Sequence, residues 1–251
     1  HISVDECNSP EMFTGGAKIL GLHGPAGKIT PAMVEKTLKS FIRGEHDPKP
    51  AAVSLTNSTE LGTTYSPDDV KAISNLIKPR GMKLHMDGAR FGNAVASLGC
   101  HPADITVRAG VDVLSFGFAK NGGMGAEALV YFDSAMADAA RYRRKRAGHL
   151  QSKGRFLAAQ LLAMLDGDLW LENARAANAA AAIIADAAPE RLIHPVQANE
   201  VFVRLTAAEA TSLRAHGFDF YDWGEGAARL VTSWHHTADD VAPLAKAIAA
   251  L

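Results

Sequence analysis

The sequence predicts an α/β fold, a mostly parallel sheet flanked by helices, followed by a small C-terminal α+β unit. Three observations carry that expectation. Short apolar runs of strand length alternate with helix-patterned segments through the first half of the chain, and two of the helix candidates open on a hydroxyl residue and a proline, Thr30-Pro31 and Ser66-Pro67. After Pro189 the order changes to strand, helix, strand, strand, helix. Alternation of the first kind needs crossover connections and gives a largely parallel sheet with helices on both faces, whereas the second order describes an α+β unit.

Taken in order, residues 1–6 alternate only partly, and Cys7-Asn-Ser-Pro-Glu-Met-Phe is irregular. A short apolar run at 18–22 leads to turn chemistry at Gly24-Pro25-Ala-Gly27. Thr30 as cap, Pro31 at the first helical position and the stripe Met33, Leu38, Phe41, Ile42 predict a helix over 31–43. Asp47-Pro48-Lys49-Pro50 ends it, and residues 51–56 read as a buried strand running into the polar stretch Asn57-Ser-Thr-Glu60. Ser66 caps a helix through Val70, Ile73, Leu76 and Ile77, and 82–86 is the next strand, with Asp87 where strand gives way to loop. A helix over 89–98, a short helical piece over 102–109 and strands over 111–116 and 128–132 follow. Residues 134–188 are alanine-rich and helical in pattern, which predicts one long helix or a bent pair leaving the first domain. The remainder gives a strand at 201–205, a helix over 207–216, strands at 218–221 and 229–234, and a helix over 237–251 capped by Thr237. Two domains are expected, a large one over 1–150 and a linking helix with a small domain over 151–251.

Composition narrows the partners. The 251 residues are 47% hydrophobic and 21% charged, enough for a large core in an ordinary globular protein. A formal net charge of −1 gives no reason to expect nucleic acid or an anionic membrane as partner. No apolar run reaches bilayer length. Cys7 and Cys100 show neither disulfide-framework nor zinc-ligand spacing, so a reducing cytoplasm is the expected compartment. No histidine pair has metal-ligand spacing on a helix, and no metal is expected.

The chemistry concentrates between residues 83 and 133. Asp87 ends one apolar run and Lys120 lies just past another, with Gly88, Gly117, Gly122, Gly123 and Gly125 leaving room for close approach. Ligands of parallel sheets gather at the carboxyl ends of the strands, where Asn57, Asp87 and Lys120 all fall. An anion and an amine there suit pyridoxal phosphate, whose ring nitrogen needs a carboxylate and whose aldehyde needs an amine. The commoner uses of these residues are helix capping by Asp87 and solvent exposure for Lys120. Arg229 enters an apolar strand, a burial that is disfavoured unless an anion is waiting, and is the candidate for a substrate α-carboxylate. Arg90 is placed to pair with Asp87 or with a ligand oxygen. His85 points to the same strand face as Asp87 and reads as a core histidine with satisfied hydrogen bonds. The cluster Arg141, Arg143, Arg144, Lys145, Arg146 reads as a solvated or subunit-facing helix surface.

Asp87-Gly-Ala-Arg90 together with Phe116-Gly-Phe-Ala-Lys-Asn-Gly122 resembles the threonine aldolase family of fold type I pyridoxal phosphate enzymes, in its low-specificity L-threonine and phenylserine aldolase branch. The likeness covers essentially the whole chain and includes His1-Ile-Ser-Val-Asp-Glu-Cys7, His46-Asp-Pro-Lys-Pro50 and Gly226-Ala-Ala-Arg229. It implies that Lys120 forms the Schiff base with the cofactor, Asp87 pairs with the pyridine nitrogen and His1 stacks on the ring. It also implies His46 near the substrate β-hydroxyl, Arg90 near the cofactor phenolic oxygen or the substrate carboxylate, Arg229 on that carboxylate, and Lys153 near a phosphate, in the same or a neighbouring subunit. The family's glycine- and threonine-containing phosphate loop precedes the residue matching His1, so an N-terminal part of the cofactor domain is expected to be missing.

The implied reaction is retro-aldol cleavage of L-threonine, allo-threonine or phenylserine-type β-hydroxy-α-amino acids to glycine and an aldehyde. The base would be His46, His1 acting through water, or a phosphate-linked water. The implied assembly is a homodimer or homotetramer with shared active sites. Two other readings stand beside it: β-elimination or transamination on the same scaffold, and a cofactor-less fragment acting as a subunit-interaction module.

Overall fold

The computed structural model describes residues 1–251. Its larger sheet has the order β1 (Ala52–Thr56), β2 (Lys83–Gly88), β3 (Val113–Phe116), β4 (Ala128–Tyr131); the first three strands are parallel and β4 is antiparallel to β3. Helix α1 (Ser9–Thr14) and α2 (Pro31–Leu38) precede β1; α3 (Pro67–Ile77) and α4 (Phe91–Leu98) lie on either side of β2 in sequence. The helix starts follow the sequence signals. Thr30 accepts from the Met33 amide, and Ser66 forms a reciprocal cap with Asp69 ahead of Pro67. The apolar stripe of α3, Val70, Ile73 and Ile77, is fully buried with Leu84 and Met86 of β2, each side chain worth about 1.5–3 kcal/mol of burial.

Five expectations are corrected. The stretch 7–13, expected to be irregular, carries α1, which opens on Ser9-Pro10. Helix α2 stops at Leu38 instead of 43. The Thr37 hydroxyl donates to the Met33 carbonyl and the Ser40 hydroxyl to the Thr37 carbonyl, so local side-chain bonds compete with the backbone ladder at the end of the helix. The single or bent helix expected over 134–188 is three helices: α5 (Ser134–Arg146), α6 (Arg155–Leu165) and α7 (Leu169–Ala187). Gly148 at φ 80° and Gly167 at φ 62° turn the chain left-handed between them. The strand expected at 218–221 is the two-residue β6 (Tyr221–Asp222). Asp87 sits inside β2 rather than beyond it.

The smaller sheet is antiparallel, β5 (Glu200–Arg204), β7 (Ala227–Val231), β6 in that order, with α8 (Ala207–Ala215) and α9 (Ala238–Ala249) capped by Thr206–Glu209 and Thr237–Asp240 boxes. Two hydrophobic clusters result. One lies on the large sheet and reaches Met164 and Trp170; the other joins Ala180, Ala181, Ile184 and Ala185 of α7, with Ala188 just past its end, to β5, β7, α8 and α9. Helix α7 thus spans both and ties them together. No helix is long and apolar enough to cross a membrane.

Candidate active site

The carboxyl ends of β2 and β3 are drawn together by two glycines. A Cβ on Gly88 would meet the Ser115 carbonyl oxygen at 2.7 Å, and one on Gly117 would meet the Ala89 Cα at 2.7 Å. With neither Cβ present, the Gly117 amide donates to the Gly88 carbonyl at 3.0 Å, extending the β2–β3 pairing past Phe116. Asp87 and the loop bearing Lys120 therefore share one edge.

Asp87 is buried, 8% exposed. Its Oδ1 accepts from the Ala89 amide at 2.8 Å and its Oδ2 lies 2.6 Å from Nε2 of His1. Burial alone would push this carboxyl up, but the hydrogen bonds from His1 and Ala89 hold it below its ordinary value. The hydrogen bond to Asp87, with its charge, raises His1 to about 9 against the cost of burial. His85 contacts the Ser54 hydroxyl through Nδ1 (2.8 Å) and the Ser115 hydroxyl through Nε2 (2.9 Å), and burial lowers its pKa. It is a neutral, fully bonded core histidine.

Lys120 is exposed, but its neighbours are not free. The Phe118 and Ala119 amides donate to the two oxygens of the Glu127 carboxylate, each at 3.0 Å. Asn121, buried, donates to the Trp170 carbonyl at 2.7 Å, and Asn173 donates to the Asn121 carbonyl at 2.9 Å. Phe91, Phe116, Phe118 and Trp170 pack as an aromatic cluster. A flexible side chain thus stands on a rigid base.

Arg229 on β7 finds an anion inside the protein. Glu200, 0% exposed at the head of β5, accepts from Nε of Arg229 at 3.1 Å and from its Nη2, and Nη2 of Arg90 lies 3.4 Å from the same carboxylate oxygen. Two arginines, one from each sheet's neighbourhood, share one oxygen of one glutamate. Trp223 lies with its ring 5.4 Å from the Arg229 guanidinium carbon.

Of the other expected site residues, Asn57 lies at the same edge, its amide donating to the Asp87 carbonyl at 2.9 Å. Both polar ends of its side chain are taken by the Tyr65 backbone, so the side chain shapes the loop after β1. His46, on a 3-10 turn over Gly44–His46, and Lys153, in a turn before α6, are exposed, and their side chains bond none of the others. The sequence reading missed Glu200 and Glu127. Glu200 carried one usable signal: an acid opening the apolar run Val201-Phe-Val, diagonal to Arg229 across the β5–β7 ladder.

A family model described as beta-eliminating lyase matches residues 1–208. The chain belongs to the beta-eliminating lyase family. It is 46% identical over 253 residues to a low specificity L-threonine aldolase of Pseudomonas aeruginosa, covering 99% of this chain and 73% of that protein. A protein of the same name from a Pseudomonas species is 43% identical, over 100% of this chain and 74% of its own. Among solved structures, a threonine aldolase from Leishmania major superposes with a TM-score of 0.89 at 30% identity, covering 99% of this chain and 75% of that one. Threonine aldolases and beta-eliminating lyases of this fold are pyridoxal phosphate enzymes.

The residues present fit that cofactor. Asp87 is a buried carboxylate whose Oδ2 already holds a cationic ring nitrogen, and a pyridinium nitrogen makes the same demand. Lys120 offers an amine bonded to no other group, on a base locked at both flanks.

Proposed function

We propose that the chain is a pyridoxal phosphate-dependent aldehyde-lyase that cleaves L-threonine, allo-threonine or phenylserine-type β-hydroxy-α-amino acids to glycine and an aldehyde. The observation that carries this reading is the pairing of buried Asp87 with the Lys120 loop on adjacent strand ends, in a chain 46% identical to a low specificity L-threonine aldolase.

The cofactor, when bound, supplies an aldehyde for the substrate amine and a ring that takes up the electron pair left when Cα–Cβ breaks. Asp87 holds the proton on the ring nitrogen. Lys120 would hold the cofactor through its aldehyde between turnovers and would be displaced there by the substrate amine. Arg229 seats the α-carboxylate, with Arg90 beside it. The β-hydroxyl proton would go to His46, to His1 through water, or to a phosphate-linked water; the aldehyde would depart, and a proton returned to Cα would give glycine. While His1 holds Asp87 its pKa near 9 keeps it protonated at neutral pH, so it serves as a base only when another cation takes Asp87. The proposal includes a ring-facing role for His1 and a phosphate contact for Lys153.

We further propose a large domain over 1–150 and a small one over 151–251, and a homodimer or homotetramer acting in the cytoplasm. Assembly is supported by α6, where Met164 is the one buried residue and Phe156 and Leu162 are 63% and 67% exposed. The compartment is supported by two free cysteines.

The test is direct. Protein mixed with pyridoxal phosphate should develop the long-wavelength absorption of the lysine-bound cofactor and convert threonine to glycine and acetaldehyde, and Lys120→Ala should abolish both. A keto acid with ammonia as products would replace this reading with β-elimination.

A further inference from the structure

We infer that Glu200 sets the charge selectivity of the substrate seat, cancelling one of its two arginines so that it accepts amino acids with one carboxylate and rejects those with two. The inference rests on the proposed role of Arg229. Two guanidiniums meet one carboxylate: Arg229 donates to Glu200 Oε1 through Nε and Nη2, and Arg90 Nη2 lies 3.4 Å from that same oxygen. The side chains of Arg90, Arg229 and Glu200 are 11%, 19% and 0% exposed, so solvent does little to screen the group. Two positive charges and one negative leave a surplus of one, which is one carboxylate's worth.

Other acids nearby do not change that count. Arg90 also feels Glu60 and Asp87, but the Glu60 side chain is 42% exposed and Asp87 is held by His1. Burial of Arg90 works against its charge, with Glu200 as the main opposing attraction. Two buried atoms in the cluster have no hydrogen-bond partner, Arg90 Nε and Glu200 Oε2. An unfilled donor on the less tightly engaged arginine is what a seat awaiting an anion presents, and an unfilled carboxylate oxygen repels a second one.

The effect is a matter of partner choice rather than of the bond-breaking step. A monocarboxylate amino acid brings one negative charge and leaves the cluster neutral. A dicarboxylate leaves a net negative charge in a desolvated place, where like charges are costly. Glutamine at 200 keeps the volume and one carbonyl acceptor for Arg229 but releases Arg90 from its counter-charge.

The experiment compares alanine and aspartate as competitive inhibitors of threonine cleavage by the pyridoxal phosphate-loaded enzyme; they share a head group and differ by one carboxylate. The unaltered enzyme should bind aspartate at least about tenfold more weakly than alanine, and Glu200→Gln should narrow that ratio by about tenfold. Adding Arg90→Gln to Glu200→Gln returns the surplus to one and should restore the discrimination. A ratio unchanged in Glu200→Gln, in an enzyme that still cleaves threonine, overturns the inference and leaves the aldolase reading standing; loss of threonine cleavage by the unaltered loaded enzyme would count against that reading instead. Should Glu200→Gln fail to fold, Arg90→Gln alone decides: it leaves a neutral Arg229–Glu200 pair, so alanine must bind about tenfold more weakly, and unchanged alanine inhibition overturns the inference.

Discussion

Glu127 gives the sharpest prediction, because it holds Lys120 without touching it. Its carboxylate accepts the amides of Phe118 and Ala119 at 3.0 Å each, on the strand side of the lysine, while Asn121 is fixed to Trp170 on the other. Replacing Glu127 by Ala removes both acceptors. Ala119 is exposed, so water replaces that partner at little cost; Phe118 is 1% exposed, and its amide is left without one. A buried donor left unsatisfied costs about 1–3 kcal/mol. That cost falls on the geometry that places Lys120, equivalent to a loss of about 5- to 150-fold in the population of the correctly seated loop. We expect a fall in kcat of about tenfold or more, weaker lysine-bound cofactor absorption, and faster hydrogen exchange at the Phe118 amide, with glutamine giving a smaller effect because it retains one acceptor oxygen. An alanine variant with unchanged exchange at Phe118 and unchanged kcat would refute the positioning role.

Three further outcomes follow from the same geometry. Arg229→Ala strands Glu200 with a single guanidinium at 3.4 Å, a broken buried pair that should cost about 3–5 kcal/mol in urea unfolding. Arg229→Lys keeps the charge without the two-pronged grip and should raise KM for threonine about tenfold; an unchanged KM would exclude Arg229 as the carboxylate seat. Gly117→Ala forces a methyl to 2.7 Å from the Ala89 Cα and should destabilise by about 1–3 kcal/mol, a fall in Tm of about 2–12 °C by calorimetry. The His1–Asp87 pair gives a pH signature in the cofactor-free protein. Because the folded pKa of His1 is raised, to about 9 from 6.5, its stabilisation is complete below pH 6.5 and is lost as pH rises through 9. His1→Ala should flatten the stability profile between those values, and a profile identical to that of the unaltered protein would show that the contact contributes nothing.

The parts of the candidate site whose placement was legible in the sequence are those whose signals are local. Asp87 and Lys120 each follow a strand-length apolar run, and parallel strands put such positions on one edge whatever the rest of the chain does. The helix starts at Thr30, Ser66 and Thr237 were legible for the same reason, since capping is settled within four residues. The helix breaks at Gly148 and Gly167 were present in the sequence, but an alanine-rich pattern on both sides hid them. The contact between His1 and Asp87, and the bonds from the Lys120 loop to Glu127 and Trp170, depend on tertiary placement that no local pattern encodes.

The Arg229 cluster shows how a sound local rule stops short. A charge in the apolar strand β7 does require an anion, and the structure provides one in Glu200; what the rule does not supply is the count. Arg90 comes from the turn after β2, three residues past Asp87, and reaches the head of β5 on the smaller sheet. Residues 87–90 thus join two clusters: Asp87, the residue proposed for the cofactor ring nitrogen, is held by His1, and Arg90, proposed beside the substrate carboxylate, lies against Glu200. A shift of that short turn would move both at once. Gly88, which no larger residue can replace without striking Ser115 and Phe91, fixes its position against β3. On the proposed roles of Asp87 and Arg90, the rigidity of this turn would keep the ring and carboxylate seats at one spacing, and Glu200, by cancelling one of the two arginines, would leave that spacing to a substrate with a single carboxylate.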